Sequence, residues 1–257
     1  MKKQNALTIA GFDPSGGAGV WADARTFDVF GYRTSAVITS ITFQNDRQAH
    51  GRADQTAETV SAQIKSLVEE FEFACVKLGM LPNREVIKAV ARSFADYNLA
   101  APIVDPVMCS SSGMRLMDNN ALEDLVSEIL PLARLVTPNI PEAEVLSGMQ
   151  ISSEADMRQA ASLIRNRGAR AVLIKGGHLN ETNAVGNQKS ADLLEAIDLL
   201  DEDSRVTTFR APFIPGAKLR GSGCILSSAI AAGLGNAMSL EEAVRQAKQF
   251  VLKRLHA

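Results

Sequence analysis

Cysteine is sparse. The 257-residue chain holds three, Cys75, Cys109 and Cys224, an odd number at wide spacing with no CxxC pair. That argues against a disulfide framework or a cysteine zinc site and suits a reducing compartment. An excess of charge of one sign is also lacking: 27 Lys and Arg stand against 29 Asp and Glu, a formal net charge of −2. Without a basic field, non-specific nucleic-acid binding is not the main task. No apolar run approaches the roughly 18 residues a membrane span needs, so no membrane partner is expected. The apolar stretch after Met1-Lys2-Lys3 is too short for a signal peptide and halts at Asp13, which predicts a cytoplasmic protein whose first strand opens the chain. Without secretion, the Asn180-Glu181-Thr182 sequon carries no weight. Linkers, low-complexity tracts and internal repeats are missing as well, which predicts one domain over residues 1–257. His50 and His256 have no triad or metal partners at useful spacing, and GxSxG, HExxH and protein-kinase motifs do not occur.

What is there is a globular composition, 46% hydrophobic and 22% charged, long enough for one large α/β domain without staples. Strand-like runs at 7–10, 35–41, 75–78, 102–105, 135–137 and 171–175 alternate with helix-like spacing at 20–30, 57–70, 84–97, 121–130, 142–146 and 154–167. A further apolar helix is expected at 225–234, and the acidic cluster Asp198, Asp201, Glu202 and Asp203 reads as a solvated turn between two edge strands. The alternation predicts a mostly parallel sheet covered by helices on both faces. Ligands of such sheets bind beyond the carboxyl ends of the strands. Asp13, Gln44, Gly79-Met80, Asp105, Asn139 and Lys175 all fall just after strand-like runs.

Two glycine-rich loops stand out, and each has an ordinary structural reading beside the functional one. In Gly11-Phe-Asp-Pro-Ser-Gly-Gly-Ala-Gly19, glycines let backbone N–H groups approach a ligand ahead of a helix N-terminus. Gly17 to Ala22 also fits GxGxxA, but Asp13-Pro14-Ser15 intervenes where a nicotinamide dinucleotide site needs a tight turn. No Walker lysine follows Gly16. The second loop, Arg220-Gly221-Ser222-Gly223-Cys224, opens onto the apolar helix and offers unpaired N–H groups to anionic charge. That helix end is expected to lower the Cys224 thiol pKa and make it a base for a substrate hydroxyl, unless it is simply a buried cysteine in a helix cap. Asn139 and Glu142, three apart, can hold a hydrated Mg²⁺ or form a helix cap. Asp105 and Lys175 supply an acid and a cation at strand ends, or are plain surface charges. Trp21 is expected in the core, with a ligand contact as the alternative.

Taken in order, the loop at 11–19, Gln44-Asn45, Lys77-Leu-Gly-Met80, Asp105-Pro-Val-Met108, Thr137-Pro-Asn-Ile-Pro-Glu142, Lys175-Gly-Gly-His178 and Gly221-Ser-Gly-Cys224 resemble the hydroxymethylpyrimidine/phosphomethylpyrimidine kinases of thiamine biosynthesis, in the ribokinase-like superfamily. The resemblance runs from about Leu7 to Lys248. It implies a three-layer α/β/α fold, a homodimer, and transfer of the ATP γ-phosphoryl group, with Mg²⁺, to 4-amino-5-hydroxymethyl-2-methylpyrimidine and then to its monophosphate. By motif, Gln44 would bond the aminopyrimidine edge. Met80 and Val107 would line the ring, while Gly11, Asp13 and Ala18 would frame the substrate side. Asp105 and Glu142 would serve the metal. Asn139, Lys175, Arg220 and Gly223 would serve ATP. Gly221, Ser222 and Gly223 would form the anion hole, with Cys224 as general base.

This sequence departs from the family pattern at several points. Arg220 replaces a histidine, Ala217 a lysine (with Lys218 one position on) and Trp21 a glutamine. Residues 109–113 lack the usual lysine, residues 179–196 form a longer stretch than normal, and a Gly/His-rich tail is absent after Ala257. The alternatives are a pyridoxal kinase, a non-catalytic pyrimidine-binding relative and, on GxGxxA alone, a nicotinamide-dependent oxidoreductase.

Overall fold

The computed structural model describes residues 3–177, 195–212, 214 and 219–255. His178, most of the 179–196 stretch with its sequon, Ala217, Lys218 and His256 lie outside the described residues.

In chain order the elements are β1 (Asn5–Phe12), α1 (Gly19–Val29), β2 (Arg33–Gln44), β3 (Ala49–Asp54), α2 (Ala57–Val68), β4 (Phe73–Leu78), α3 (Arg84–Tyr97), β5 (Ile103–Val104), α4 (Leu122–Asp124), β6 (Leu135–Val136), α5 (Ile140–Ser147), α6 (Glu154–Arg165), β7 (Ala171–Gly176), β8 (Glu195–Glu202), β9 (Arg205–Pro212), α7 (Ser222–Gly235) and α8 (Leu240–Leu255). Local chemistry sets many of the ends. Thr56, Asn83 and Ser153 side chains accept the backbone N–H three residues on and start α2, α3 and α6. Asn98 adopts a left-handed conformation to stop α3, as Gly148 does after α5.

Among the described residues, nine strands form one sheet in the order β3-β2-β1-β4-β5-β6-β7-β8-β9. The run from β2 to β7 is parallel; β3, β8 and β9 pair antiparallel. Alternate side chains feed two cores. Leu7, Ile9, Val76, Leu78, Val172 and Ile174 pack with α2, α3, α5 and α6 on one face. Ala6, Cys75, Ala171 and Leu173 pack with α1, α7 and α8 on the other. The expected α/β/α layering with a mostly parallel sheet is what forms. The chain steps from β1 to β2 on one side and returns to β4 on the other, so a crevice opens beyond the ends of β1 and β4.

One strand goes unread in the sequence, and three local expectations need correction. Strand β3 has no apolar alternation in Ala-His-Gly-Arg-Ala-Asp; it forms because it pairs back on the exposed end of β2. The helix expected at 121–130 keeps only one α turn and widens into a π-helical turn at Leu125–Ile129, before Leu130–Leu132 carries Pro131, which lacks an N–H to continue it. The acidic cluster is mostly strand. Asp198 and Asp201 are buried, Asp198 accepts the Gly176 N–H at 3.1 Å and pairs with Lys248, and Asp201 pairs with Arg165 at 3.2 Å. The turn itself is Asp203-Ser204, both at positive φ, as a tight hairpin demands. Finally, Trp21 is not core: it stays 46% exposed, tilted against Phe12 with the Arg25 guanidinium over its ring.

Candidate active site

The loops that follow the parallel strands enclose a cavity of about 460 Å³, within the range of small-molecule sites. Two glycines make it possible. Gly19 sits at φ +58°, where a Cβ would strike the Gly11 carbonyl oxygen, so the first loop can fold back onto its own start only with glycine here. Gly221 sits at φ +72°, and a Cβ there would strike the Gly17 carbonyl oxygen. The two glycine loops, about 200 residues apart in sequence, are therefore in backbone contact. Asp13, 1% exposed, shapes the first loop by accepting the Ser15 N–H and hydroxyl at 2.9 and 2.8 Å.

One end of the cavity is apolar with a few polar edges. Gly11, Asp13, Ala18, Gln44, Met80 and Val107 all line it, as the sequence order of their loops requires. Gln44 ends β2, and the Met80 carbonyl is tied to β2 by the Thr39 hydroxyl at 2.7 Å. This end can take a flat heteroaromatic ring.

The other end is ionic. Asp105 is buried after β5, with the Lys175 ammonium at 2.8 Å and the Thr137 hydroxyl at 3.3 Å. Glu142 is buried in the first turn of α5. Asn139 Oδ1 accepts the Glu142 N–H and Glu142 Oε2 accepts the Asn139 N–H, each at 2.9 Å. The helix cap read from spacing is thus real, and it spends the Asn139 amide oxygen, although Asn139 still lines the cavity. Burial, with the Asp105 charge nearby, raises the Glu142 carboxyl to about 7, against the pull of Lys175 and of the Asn139 and Met108 N–H groups. Burial works against the Lys175 ammonium, but Asp105, Glu142 and Cys224 outweigh it and hold the group above its ordinary range. Two buried acids that oppose each other's charge beside a single ammonium form a set that a dication would relieve. Among the described residues no cluster of three or more His, Cys, Asp or Glu is gathered for a metal. A pair of carboxylates, with water and phosphate completing the shell, suits Mg²⁺.

Helix α7 begins between these ends. No side chain caps it, and Gly221, Ser222, Gly223 and Cys224 line the cavity. The Ser222 N–H is bonded to the Leu219 carbonyl at 3.1 Å, so the free donors expected of this loop do not include Ser222. The expectation of a lowered Cys224 pKa is overturned. Burial dominates and raises the thiol to about 11, and the Asp23 and Asp105 charges add to it. Lys77 and the Gly19 N–H oppose it without prevailing.

Arg220 departs from its expected place among the nucleotide contacts. Its guanidinium bridges to Asp13 at 2.9 Å, Asp46 at 3.0 Å and Ser15 Oγ at 2.6 Å, on the substrate-side loops. It clasps the second glycine loop to the first and to the β2–β3 turn. Arg220→Ala would strand the buried Asp13 carboxylate. The expected result is a rise of about tenfold in KM for the ring substrate with KM for ATP little changed, read by steady-state kinetics. The reverse pattern would return Arg220 to the nucleotide. The reading from sequence gave no role to Lys77, which also lines the cavity. A buried lysine inside an otherwise apolar strand, Phe73–Leu78, was the available signal.

The phosphomethylpyrimidine kinase family matches residues 13–257. The chain belongs to this family. The hydroxymethylpyrimidine/phosphomethylpyrimidine kinase of Aquifex aeolicus is 39% identical over 250 residues, covering 97% of this chain and 93% of that protein. Among solved structures, the phosphomethylpyrimidine kinase of Clostridium difficile 630 superposes with a TM-score of 0.83 at 35% identity, over 98% of this chain and 100% of the other. The pyridoxal kinase of Staphylococcus aureus, in complex with AMP-PCP and pyridoxal, superposes with a TM-score of 0.84 at 29% identity, over 98% and 87%. The resemblance read from the motifs is borne out, and with it the ribokinase-like fold and a kinase of the phosphomethylpyrimidine type. The dehydrogenase alternative falls. No helix among the described residues is long and apolar enough to cross a membrane.

Proposed function

We propose that this phosphomethylpyrimidine kinase transfers the γ-phosphoryl group of ATP to 4-amino-5-hydroxymethyl-2-methylpyrimidine and then to the resulting monophosphate. The observation that carries the reading is the contact between the two glycine loops. It sets the first turn of α7 between an apolar ring site and an acid–ammonium site. Phosphoryl transfer needs little more than such positioning and charge stabilisation.

In this reading Gln44 bonds the aminopyrimidine edge, Met80 and Val107 hold the ring, and Gly11, Asp13 and Ala18 frame it. Cys224 accepts the proton of the substrate hydroxyl. The Gly221–Gly223 turn and the Cys224 N–H face the charge that develops on the transferred group. Lys175 steadies the phosphates, with Asn139 and Gly223 beside it. Asp105 and Glu142 would hold Mg²⁺, which when bound neutralises phosphate charge. The protein works as a single domain, a cytoplasmic enzyme and a homodimer.

The test is ATP-dependent phosphorylation of hydroxymethylpyrimidine, with pyridoxal in parallel and the mono- and diphosphate products resolved. Turnover of the pyrimidine supports the proposal, and the product ratio reports the second step. Preference for pyridoxal would make it a pyridoxal kinase. Binding of the pyrimidine without turnover of either alcohol would leave a non-catalytic relative.

A further inference from the structure

Beneath the N-terminal halves of α1 and α7 lies a charged pair that the reaction outlined above leaves idle. Lys77 on β4 and Asp23 on α1 both have 0% exposed side chains. The Lys77 ammonium donates to both Asp23 oxygens at 2.9 Å. Asp23 also accepts the Thr8 hydroxyl at 2.6 Å and the Ser228 hydroxyl at 2.8 Å. The chain makes room for the ammonium at Gly79, where a Cβ would lie 2.9 Å from Nζ.

A buried ion pair is a poor source of stability, since desolvation consumes most of the attraction. Apolar residues would fill this place as well, so the position of the pair matters more than its energy. Ser228 lies four residues beyond Cys224, which puts both on one face of α7. Asp23 is therefore anchored under the face that carries the cysteine, and Lys77 lines the same cavity as Cys224. The charged and polar groups around the sulfur are Lys77 from β4, Asp23 from α1, Asp105 beyond β5, Lys175 from β7 and the Gly19 N–H. Burial works against the Lys77 charge, but Asp23, Cys224 and Asp105 outweigh it and hold the ammonium above its ordinary range.

We propose that Lys77, oriented by Asp23, is a positioning residue for phosphoryl transfer: its fixed positive charge behind the Cys224 face of α7 stabilises the thiolate that accepts the substrate proton. The thiol first gives its proton to solvent. The thiolate then takes the hydroxyl proton as the substrate oxygen bonds to the γ-phosphorus and the bond from that phosphorus to the β,γ-bridging oxygen breaks; ADP leaves and Cys224 ends as a thiol again. The proposal rests on the reading of Cys224 as the base, and its test does not depend on turnover.

The full-length protein is alkylated with iodoacetamide from neutral to alkaline pH, and modification at Cys224 is followed by peptide mass mapping. Exposed Cys109 serves as the internal control. Lys77→Met is expected to slow Cys224 alkylation about tenfold at a given pH, with Cys109 unaffected. It should also lower kcat while KM for the pyrimidine holds. Lys77→Met/Asp23→Asn buries no lone charge and covers the case in which the single variant does not fold; it removes two opposing influences on the thiol, of which Lys77 is the stronger, so the profile should shift in the same direction by a smaller amount. A Cys224 profile like the parent's in the folded double variant would overturn the proposal. So would ¹⁵N NMR of the unaltered protein, if Lys77 lost its proton at lower pH than Cys224. Absence of pyrimidine turnover in the parent, with the alkylation shift present, would refute the kinase reading and leave the Lys77 effect standing.

Discussion

Cys224→Ala is expected to lower kcat for the pyrimidine by about 10²- to 10⁴-fold, the usual contribution of a positioned base. KM should change little, because in the proposed site the ring is held by Gln44, Met80 and Val107 rather than by Cys224. Residual turnover should persist, since in the proposed site the α7 N-terminus and Lys175 would still stabilise charge. The pH dependence carries a second signature. With the thiol raised to about 11, the base-competent thiolate is a small fraction at neutral pH, and it grows as pH rises toward that value. In the parent enzyme kcat should therefore climb with pH through the alkaline range, roughly tenfold per pH unit while chemistry limits the rate. In Cys224→Ala the climb should vanish. A lowered thiol, the expectation from a helix N-terminus alone, would instead give a plateau from neutral pH upward. Steady-state kcat profiles of the two proteins distinguish these outcomes. A variant as active as the parent would remove Cys224 from the reaction.

The misjudged thiol shows where sequence reading stops. Short apolar runs found β1, β4 and β7, which are buried on both faces, and helix-like spacing found α1 to α3. The order of the loops then put Gln44, Met80, Asp105 and Lys175 around one crevice. Three features escaped for physical reasons. Strand β3 has no pattern of its own and is made by its partner. The Cys224 pKa depends on how much protein covers the sulfur, and local sequence does not encode burial by distant segments. Arg220 looked like a phosphate ligand because it precedes an anion-binding turn. Its partners, Asp13 and Asp46, arrive from loops roughly 200 and 170 residues away. The Asn139–Glu142 pair differs again: spacing offered a cap or a metal ligand, and the cap that formed leaves Glu142 beside Asp105.

Gly221→Ala should be among the most damaging substitutions for its size. Two costs combine: a left-handed backbone that alanine adopts reluctantly, and a methyl group driven into the Gly17 carbonyl. Relief requires the two glycine loops to separate. Separation moves the Gly223 and Cys224 N–H groups away from the transferred phosphoryl group and the sulfur away from the hydroxyl. A fall of about 10²- to 10³-fold in kcat is expected, comparable to the loss of an oxyanion-hole donor, together with a lower melting temperature. Gly31→Ala isolates the first cost. Gly31 has φ +88° in the turn after α1, and nothing lies within 4 Å of where its Cβ would be. That variant should lose a little stability and keep its kcat. If Gly221→Ala behaved like Gly31→Ala, close contact of the loops would not matter to catalysis. If kcat collapses only in Gly221→Ala, the active site depends on two backbones touching at a point where no side chain fits.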